Sequence, residues 1–295
     1  MIGTIAMGRM GNQMFQLAFA YAAAKKLGTG YFIYGANGMK YFNLIPDFEN
    51  INRKNIIQYG RNHFFSKSEV PFSWKKITDR CYRAVHKNKI TWPNTLDENN
   101  YLLKEIKDDH VYEGFFQCEE YFSEYSNEIR SFFSLKENVV NKFRENKKYL
   151  LEKKYVALHI RRGDYLAHGG EELGGYDMTL PVSYYRDCLS QITADEYNVV
   201  FVSDDIEFVK KEFGRKENYF FENNDEITDF QVLLNADVLV IANSSFSWWA
   251  AWLNEKANKK VFAPEYYLGF KIKRYYPAGI KVKAWNWVNV NGKNE

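Results

Sequence analysis

Cysteine, proline and long apolar runs are what this chain of 295 residues has least of. Its three cysteines, Cys81, Cys118 and Cys188, lie far apart and in no C-x-x-C spacing. That excludes a disulfide scaffold, argues against a zinc site and predicts a reducing compartment. Only six residues are proline, while 46% are hydrophobic and 26% charged, which excludes a disordered or collagen-like chain. No run of about 18 apolar residues occurs, the length a membrane span needs. The nearest approach, Val238 to Asn254, is interrupted by Asn243-Ser244-Ser245. The opening Met-Ile-Gly-Thr-Ile-Ala lacks a basic n-region and a cleavage site, and reads as a first strand. The expected location is therefore cytoplasmic, the inner face of the membrane included.

A dominant charge is lacking too. Forty basic against 37 acidic side chains leave +3, too balanced for a nucleic-acid binder. One stretch departs from this balance, residues 61–92. Arg61, Lys67, Lys75, Lys76, Arg80, Arg83, Lys87 and Lys89 face only Glu69 and Asp79 there, a local +6 that leaves the remainder at 3 − 6 = −3. It reads as a solvated helix face, or as a peripheral contact with acidic lipid head groups or an anionic acceptor. What is abundant is aromatic: 23 Phe, 22 Tyr and 7 Trp make 18%, which suits a core, a sugar site or both.

Two runs of alternation organise the chain. The first opens with a strand at Ile2–Met7, a glycine turn and a helix reaching Leu27, with lysines in its last turn and Gly28 as its stop. A second strand is expected over Tyr31–Tyr34. Between Gly35 and Asp109 the pattern is weak and reads as loops and short helices. Helices over 119–133 and 138–151 then close the first domain. The second run has strands at 155–160, 198–202, 219–221, 238–242 and 260–263, separated by helical patterns. Such alternation predicts an α/β fold with parallel sheets and helices on both faces. Two Rossmann-like domains are expected, 1–150 and 151–295. The tail, with Trp285 and Trp287, is expected to pack back on the first.

In open parallel sheets ligands bind beyond the carboxyl ends of strands. Gly8-Arg9-Met10-Gly11-Asn12-Gln13 follows the first strand. Its glycines and helix N-terminus suit an anion, although it has neither G-x-G-x-x-G nor G-K-[ST] spacing. It reads equally as a tight packing turn. His159-Ile160-Arg161-Arg162-Gly163-Asp164-Tyr165 places two guanidiniums at a strand end, where they demand an anion or a carboxylate. A phosphate clamp is the expectation; the alternative, Arg162 paired to Asp164, accounts for one of them. After the strand at 198–202, the acids of Ser203-Asp204-Asp205 either ligate a metal or hold ribose hydroxyls, or else Ser203 or Asp204 caps the next helix. Asn243-Ser244-Ser245-Phe246-Ser247-Trp248-Trp249 offers hydroxyls at a helix N-terminus for phosphate. Its tryptophans, with Trp252, read as core. Asp229 is either a helix cap or an acceptor for a purine edge. Together these residues describe a site for a nucleoside diphosphate, with no metal expected.

These four motifs, in this order and over nearly the whole chain, resemble the bacterial α-1,2-fucosyltransferases of glycosyltransferase family 11. The resemblance implies a GT-B fold, two Rossmann-like domains facing across a cleft, with 1–150 on the acceptor side and 151–295 binding the GDP-sugar. It implies inverting, metal-independent transfer of L-fucose from GDP-β-L-fucose, used as donor substrate with no cofactor, to O2 of a terminal galactose. The acceptor is then a galactose-terminated glycan, lipid-linked ones included. By the same resemblance Arg161 contacts the β-phosphate and Asp229 the guanine. Ser244, Ser245 and Phe246 contact phosphate, and Arg9, Gly11 and Asn12 approach the donor from the first domain. His159, Arg162 and Asp204 complete the donor set. Arg161, Asn12 and Asp164 are the candidate catalytic residues. The glutamate that α-1,6 enzymes carry past this arginine motif has no counterpart here: the same count reaches Gly169, with Glu171 and Glu172 just beyond. The base is thus Asp164, Glu171, Glu172 or none. Other donors, such as GDP-mannose or dTDP-rhamnose, or a non-catalytic carbohydrate-binding role, are the alternatives.

Overall fold

The structure is a computed structural model that describes residues 2–36, 38–44, 49–51, 89–91, 106–193 and 196–290. The chain divides into two compact units, Met1–Ser134 and Leu135–Glu295.

The first unit is a parallel sheet. Its elements in chain order are β1 (Ile2–Ile5), α1 (Met10–Leu27), β2 (Tyr31–Tyr34), β3 (Glu49–Ile51), β4 (Lys89–Thr91), β5 (His110–Glu113) and α2 (Ser126–Phe132). The strands lie in the order β3-β2-β1-β5-β4, every pairing parallel. α1 is buried almost all round, from Met10 to Ala24, as its alanine-rich apolar sequence demands. It ends as expected: Gly28 is left-handed and its N–H closes on Ala24 and Lys25 carbonyls. β3, β4 and β5 were not anticipated. Strands this short carry too little alternation to stand out by themselves; β1 and β2 were marked by the glycine turn and long helix between them. The basic stretch lies outside the described residues except at β4.

The second unit begins with α3 (Glu137–Asn146) and α4 (Lys148–Leu151). It continues with β6 (Tyr155–Ile160), α5 (Val182–Ser190), β7 (Asn198–Ser203), α6 (Ile206–Phe213) and β8 (Tyr219–Glu222). α7 (Glu226–Leu234), β9 (Val238–Val240), α8 (Ser245–Leu253), β10 (Lys260–Pro264) and β11 (Asn286–Val288) complete it. The domain boundary expected near residue 150 falls inside this unit. A single helix was expected over 138–151, but Lys147 leaves helical geometry (φ −122°, ψ 24°) and divides it. The Lys147 ammonium and the Tyr149 hydroxyl both reach Glu222 of β8, at 2.6 and 2.5 Å.

All strands of the second sheet are parallel, in the order β11-β10-β9-β6-β7-β8. β6 is buried along its whole length. From it the chain steps outward to β7 and β8, then returns to β9 on the other side of β6 and steps outward again. The order therefore reverses between β6 and β9, a switch point of the kind beside whose carboxyl ends ligands bind in open parallel sheets. The tail supplies β11 beside β10. Tryptophan packing draws it there. Trp248, fully buried in α8, lies 5.5 Å from Trp285 ring to ring and donates its indole N–H to the Ile280 carbonyl at 3.0 Å.

Candidate active site

The two arginines after β6 meet carboxylates from the end of β7. Arg161 pairs through Nη1 with Asp204 Oδ2 at 2.8 Å and donates through Nη2 to Asp164 Oδ1 at 2.5 Å. A guanidinium carries five N–H groups, so three on Arg161 have no partner among the described residues. Arg162 is held differently. Its Nε donates to Asp205 Oδ2 at 3.1 Å, its backbone N–H to Asp204 Oδ1 at 2.9 Å, and its guanidinium carbon lies 3.5 Å above the Phe208 ring. The pairing weighed from sequence, Arg162 with Asp164, is thus exchanged: Asp164 takes Arg161 and Asp205 takes Arg162. The capping role also moves by one residue, since Asp205 accepts from Phe208 N–H and starts α6. Asp204 is left to join both arginines.

Gly163 makes this closeness possible. A Cβ there would stand 2.5 Å from Asp204 Oδ2, a separation that real carbon atoms do not tolerate. The sequence Arg-Arg-Gly-Asp thus sets charge and space together.

Across the switch point, the loop after β9 is tied to the arginine loop. Tyr165 donates its hydroxyl to the Asn243 carbonyl at 3.1 Å, and Asn243 Nδ2 donates to the Met178 carbonyl at 2.9 Å. Ser244 is the residue before α8, in extended geometry and without a side-chain cap bond, and Ser245 opens the helix. The first N–H groups of a helix have no intrahelical partner, and its dipole favours an anion there. Phe246 fixes this end: its ring packs 5.5 Å from His159 and 5.5 Å from Phe230. His159 is buried and its Nδ1 has no hydrogen-bond partner among the described residues. Burial, with the Arg161 charge as a second cause, pushes its pKa down to about 3, so the ring is neutral at physiological pH.

Asp229 precedes Phe230 on α7. It is not the cap of that helix; Asp225 is, accepting from Thr228 N–H at 2.8 Å. Asp229 instead receives Asn224 twice, from the backbone N–H at 3.2 Å to each oxygen and from Nδ2 at 2.8 Å. Burial is the main cause lifting its pKa to about 6, and the Asn224 bonds oppose it. Asn224 and Glu222 escaped the sequence reading, because nothing local marks them; Glu222 is joined to Lys147 and Tyr149 from more than 70 positions away.

In the first unit, the glycine turn is held by glutamines of α1. Gln13 donates to the Gly8 carbonyl at 3.0 Å, and Gln16 takes Met7 N–H at 3.0 Å and donates to the Gly114 carbonyl at 2.9 Å. Gly8 is left-handed (φ 70°), and a Cβ on it would collide with the Asn12 amide. Asn12 Oδ1 accepts from Gln117 Nε2 at 2.8 Å. Arg9 is exposed and Gly11 buried in the first turn of α1. The tight-turn reading therefore holds for this segment by itself. Glu171 and Glu172 are exposed on a short 3-10 turn of the second unit. Among the described residues no group of three or more His, Cys, Asp or Glu side chains is arranged to hold a metal ion. None of the described helices is long and apolar enough to cross a membrane.

The α-1,2-colitosyltransferase of Escherichia coli is 32% identical over 258 residues, 83% of this chain and 85% of that one. The O-antigen biosynthesis glycosyltransferase WbnK of Escherichia coli is 26% identical over 309 residues, 96% of this chain and 98% of that one. Among solved structures, the α-1,6-fucosyltransferase NodZ from Bradyrhizobium, soaked with GDP-fucose, aligns with a TM-score of 0.51 at 14% identity. The alignment covers 85% of this chain and 92% of that one, a likeness of fold that puts the two parallel-sheet units in the GT-B class. The sequence pattern of glycosyl transferase family 11 matches residues 1–289, and the chain belongs to that family of glycosyltransferases.

Proposed function

We propose that the protein transfers L-fucose from GDP-β-L-fucose to O2 of a terminal galactose, with inversion and without a metal ion. The observation that carries this is Arg161 at the end of β6, with three N–H groups left over, beside the switch point that the N-terminus of α8 also borders. Cleavage of the fucose C1–O bond builds positive charge on the sugar ring and negative charge on the departing diphosphate. A fixed guanidinium and helix N–H groups bind that second charge more strongly as it grows, the kind of preorganised stabilisation worth about 3 kcal/mol per donor in other enzymes.

The positive charge comes from Arg161 in this scheme. His159 is neutral, and Arg162 is committed to Asp205 and Phe208. Asp164 and Asp204 hold the Arg161 guanidinium in place before the donor arrives, so little order is lost at the transition state. Asp229 accepts from the N1–H and amino group of guanine, and the Ser244 and Ser245 hydroxyls bind phosphate oxygens. The acceptor hydroxyl attacks from the face opposite GDP. Its proton passes to a base, for which Asp164, Glu171 and Glu172 are the candidates, or directly to solvent in a loose transition state.

A second donor is favoured by the colitosyltransferase relative. Colitose is fucose without its 3-hydroxyl, so a site that hydrogen-bonds O3 distinguishes the two strongly, whereas one that does not accepts both. The test is transfer from GDP-fucose and GDP-colitose to lactose, N-acetyllactosamine and the type 1 disaccharide, with product linkage read by NMR. Fucose on galactose O2 is expected. Absence of transfer from GDP-fucose, or a linkage to another hydroxyl, overturns the proposal.

A further inference from the structure

The side chains behind Asp229 form a chain of donors and acceptors. Lys147 and Tyr149 both donate to Glu222, which is buried. Asn224 Nδ2 then donates to Glu222 Oε2 at 2.6 Å and to Asp229 Oδ1 at 2.8 Å. An ionised carboxylate only accepts, so an amide placed between two of them must present its NH2 group to both, and its orientation is fixed. We propose that Asn224 is a positioning residue for the donor: by bridging Glu222 and Asp229 it holds the Asp229 carboxylate in the one rotamer that meets a guanine edge. This rests on the reading of Asp229 as the acid that recognises the purine.

The electrostatics follow from the same contacts. Glu222 would be raised by burial, but Lys147, Tyr149 and Asn224 outweigh that and hold its carboxyl below the usual range. It therefore remains a negative charge close to Asp229. Burial raises Asp229 most and Glu222 raises it further; the side chain and backbone of Asn224, and the Lys147 charge, act the other way. Guanine offers two donors to a carboxylate, whereas adenine offers an acceptor at N1. Asp229 consequently has to be ionised to select guanine, and Asn224 supports that form as well as aiming it.

The experiment measures donor KM and kcat from pH 5 to pH 8, and GDP against ADP binding, for the wild type, Asn224→Ala, Glu222→Gln and Asp229→Asn. Asn224→Ala is expected to raise donor KM about tenfold at pH 7 while leaving kcat at saturating donor within about twofold. The rise of KM on acidification should begin at higher pH in Asn224→Ala, which has lost the Nδ2 donor to the ionised form while keeping the backbone one. It should begin at lower pH in Glu222→Gln, which has lost a neighbouring negative charge. A purely structural role would not move the two midpoints in opposite directions. Unchanged KM and midpoint in a folded Asn224→Ala, or shifts of the same sign, overturn the inference. If Asn224→Ala does not fold, Glu222→Gln decides alone by whether its midpoint falls. Asp229→Asn separates the two layers: if it keeps the wild-type preference for GDP over ADP, the purine reading itself fails; if it loses that preference while Asn224→Ala behaves as wild type, only the positioning role fails.

Discussion

Arg161 and Asp204 meet at 2.8 Å across the carboxyl ends of β6 and β7, two neighbouring parallel strands in register from Tyr155–Asn198 to Ile160–Ser203. The pair is mostly buried, with 16% and 26% of the two side chains exposed. A charge in that position is costly unless matched, and removing one partner leaves the other stranded. The register of the sheet therefore fixes where the guanidinium stands.

The two arginines should separate by kind of effect. Arg161→Ala is expected to lower kcat by about 100- to 1000-fold, as loss of a transition-state donor does. Arg162→Ala should cost stability instead, about 1–2 kcal/mol from the Asp205 pair and the Phe208 stacking, with kcat within about tenfold of wild type. Steady-state kinetics beside urea denaturation distinguish them, and equal kcat losses would contradict the assignment.

Gly163→Ala inserts one methyl group against Asp204 Oδ2. Displacing that carboxylate disturbs both arginines at once, so stability should fall by about 1–3 kcal/mol and kcat should fall with it. Near-normal activity would show that the Arg161–Asp204 contact is dispensable.

His159 predicts an acid weakness. Its folded pKa, about 3, lies below the ordinary value of 6.5, so the folded state resists a proton that the unfolded chain accepts. Its contribution to stability is complete above pH 6.5 and is lost as pH falls toward 3. At pH 5, about 1.5 pH units below the ordinary value, the loss is roughly 2 kcal/mol. In His159→Phe the difference between pH 7 and pH 5 stability should shrink by about that amount, measured by denaturant unfolding at both pH values.

If Arg161 and the α8 N-terminus carry the leaving-group charge, chelation should change little. Turnover after dialysis against EDTA is expected within about twofold of the untreated protein; activity restored only by Mg²⁺ or Mn²⁺ would refute the arginine mechanism.

Much of the candidate site's placement at strand ends was legible in the sequence because of how parallel sheets are built. Apolar runs such as Tyr155–Ile160 and Val238–Ala242 end abruptly in polar residues, and those residues sit where strands deliver them, at the carboxyl edge. The tryptophans of α8 were likewise readable as core, and Trp248 and Trp249 are fully buried. The exchange of partners between Asp164 and Asp205 was not readable, because it depends on which side of the loop each guanidinium leaves. Nor was the place of the tail, which a tryptophan contact decides.

The sequence by itself determined the alternation of strand and helix, the residues at each strand end and the charge they carry, since these follow from local periodicity and chemistry. Only the tertiary structure decided that β9 returns beside β6, and that Lys147, Glu222, Asn224 and Asp229 form one connected set. Those relations link residues far apart in the chain, and only the packing of the whole sheet and its helices brings them within bonding distance.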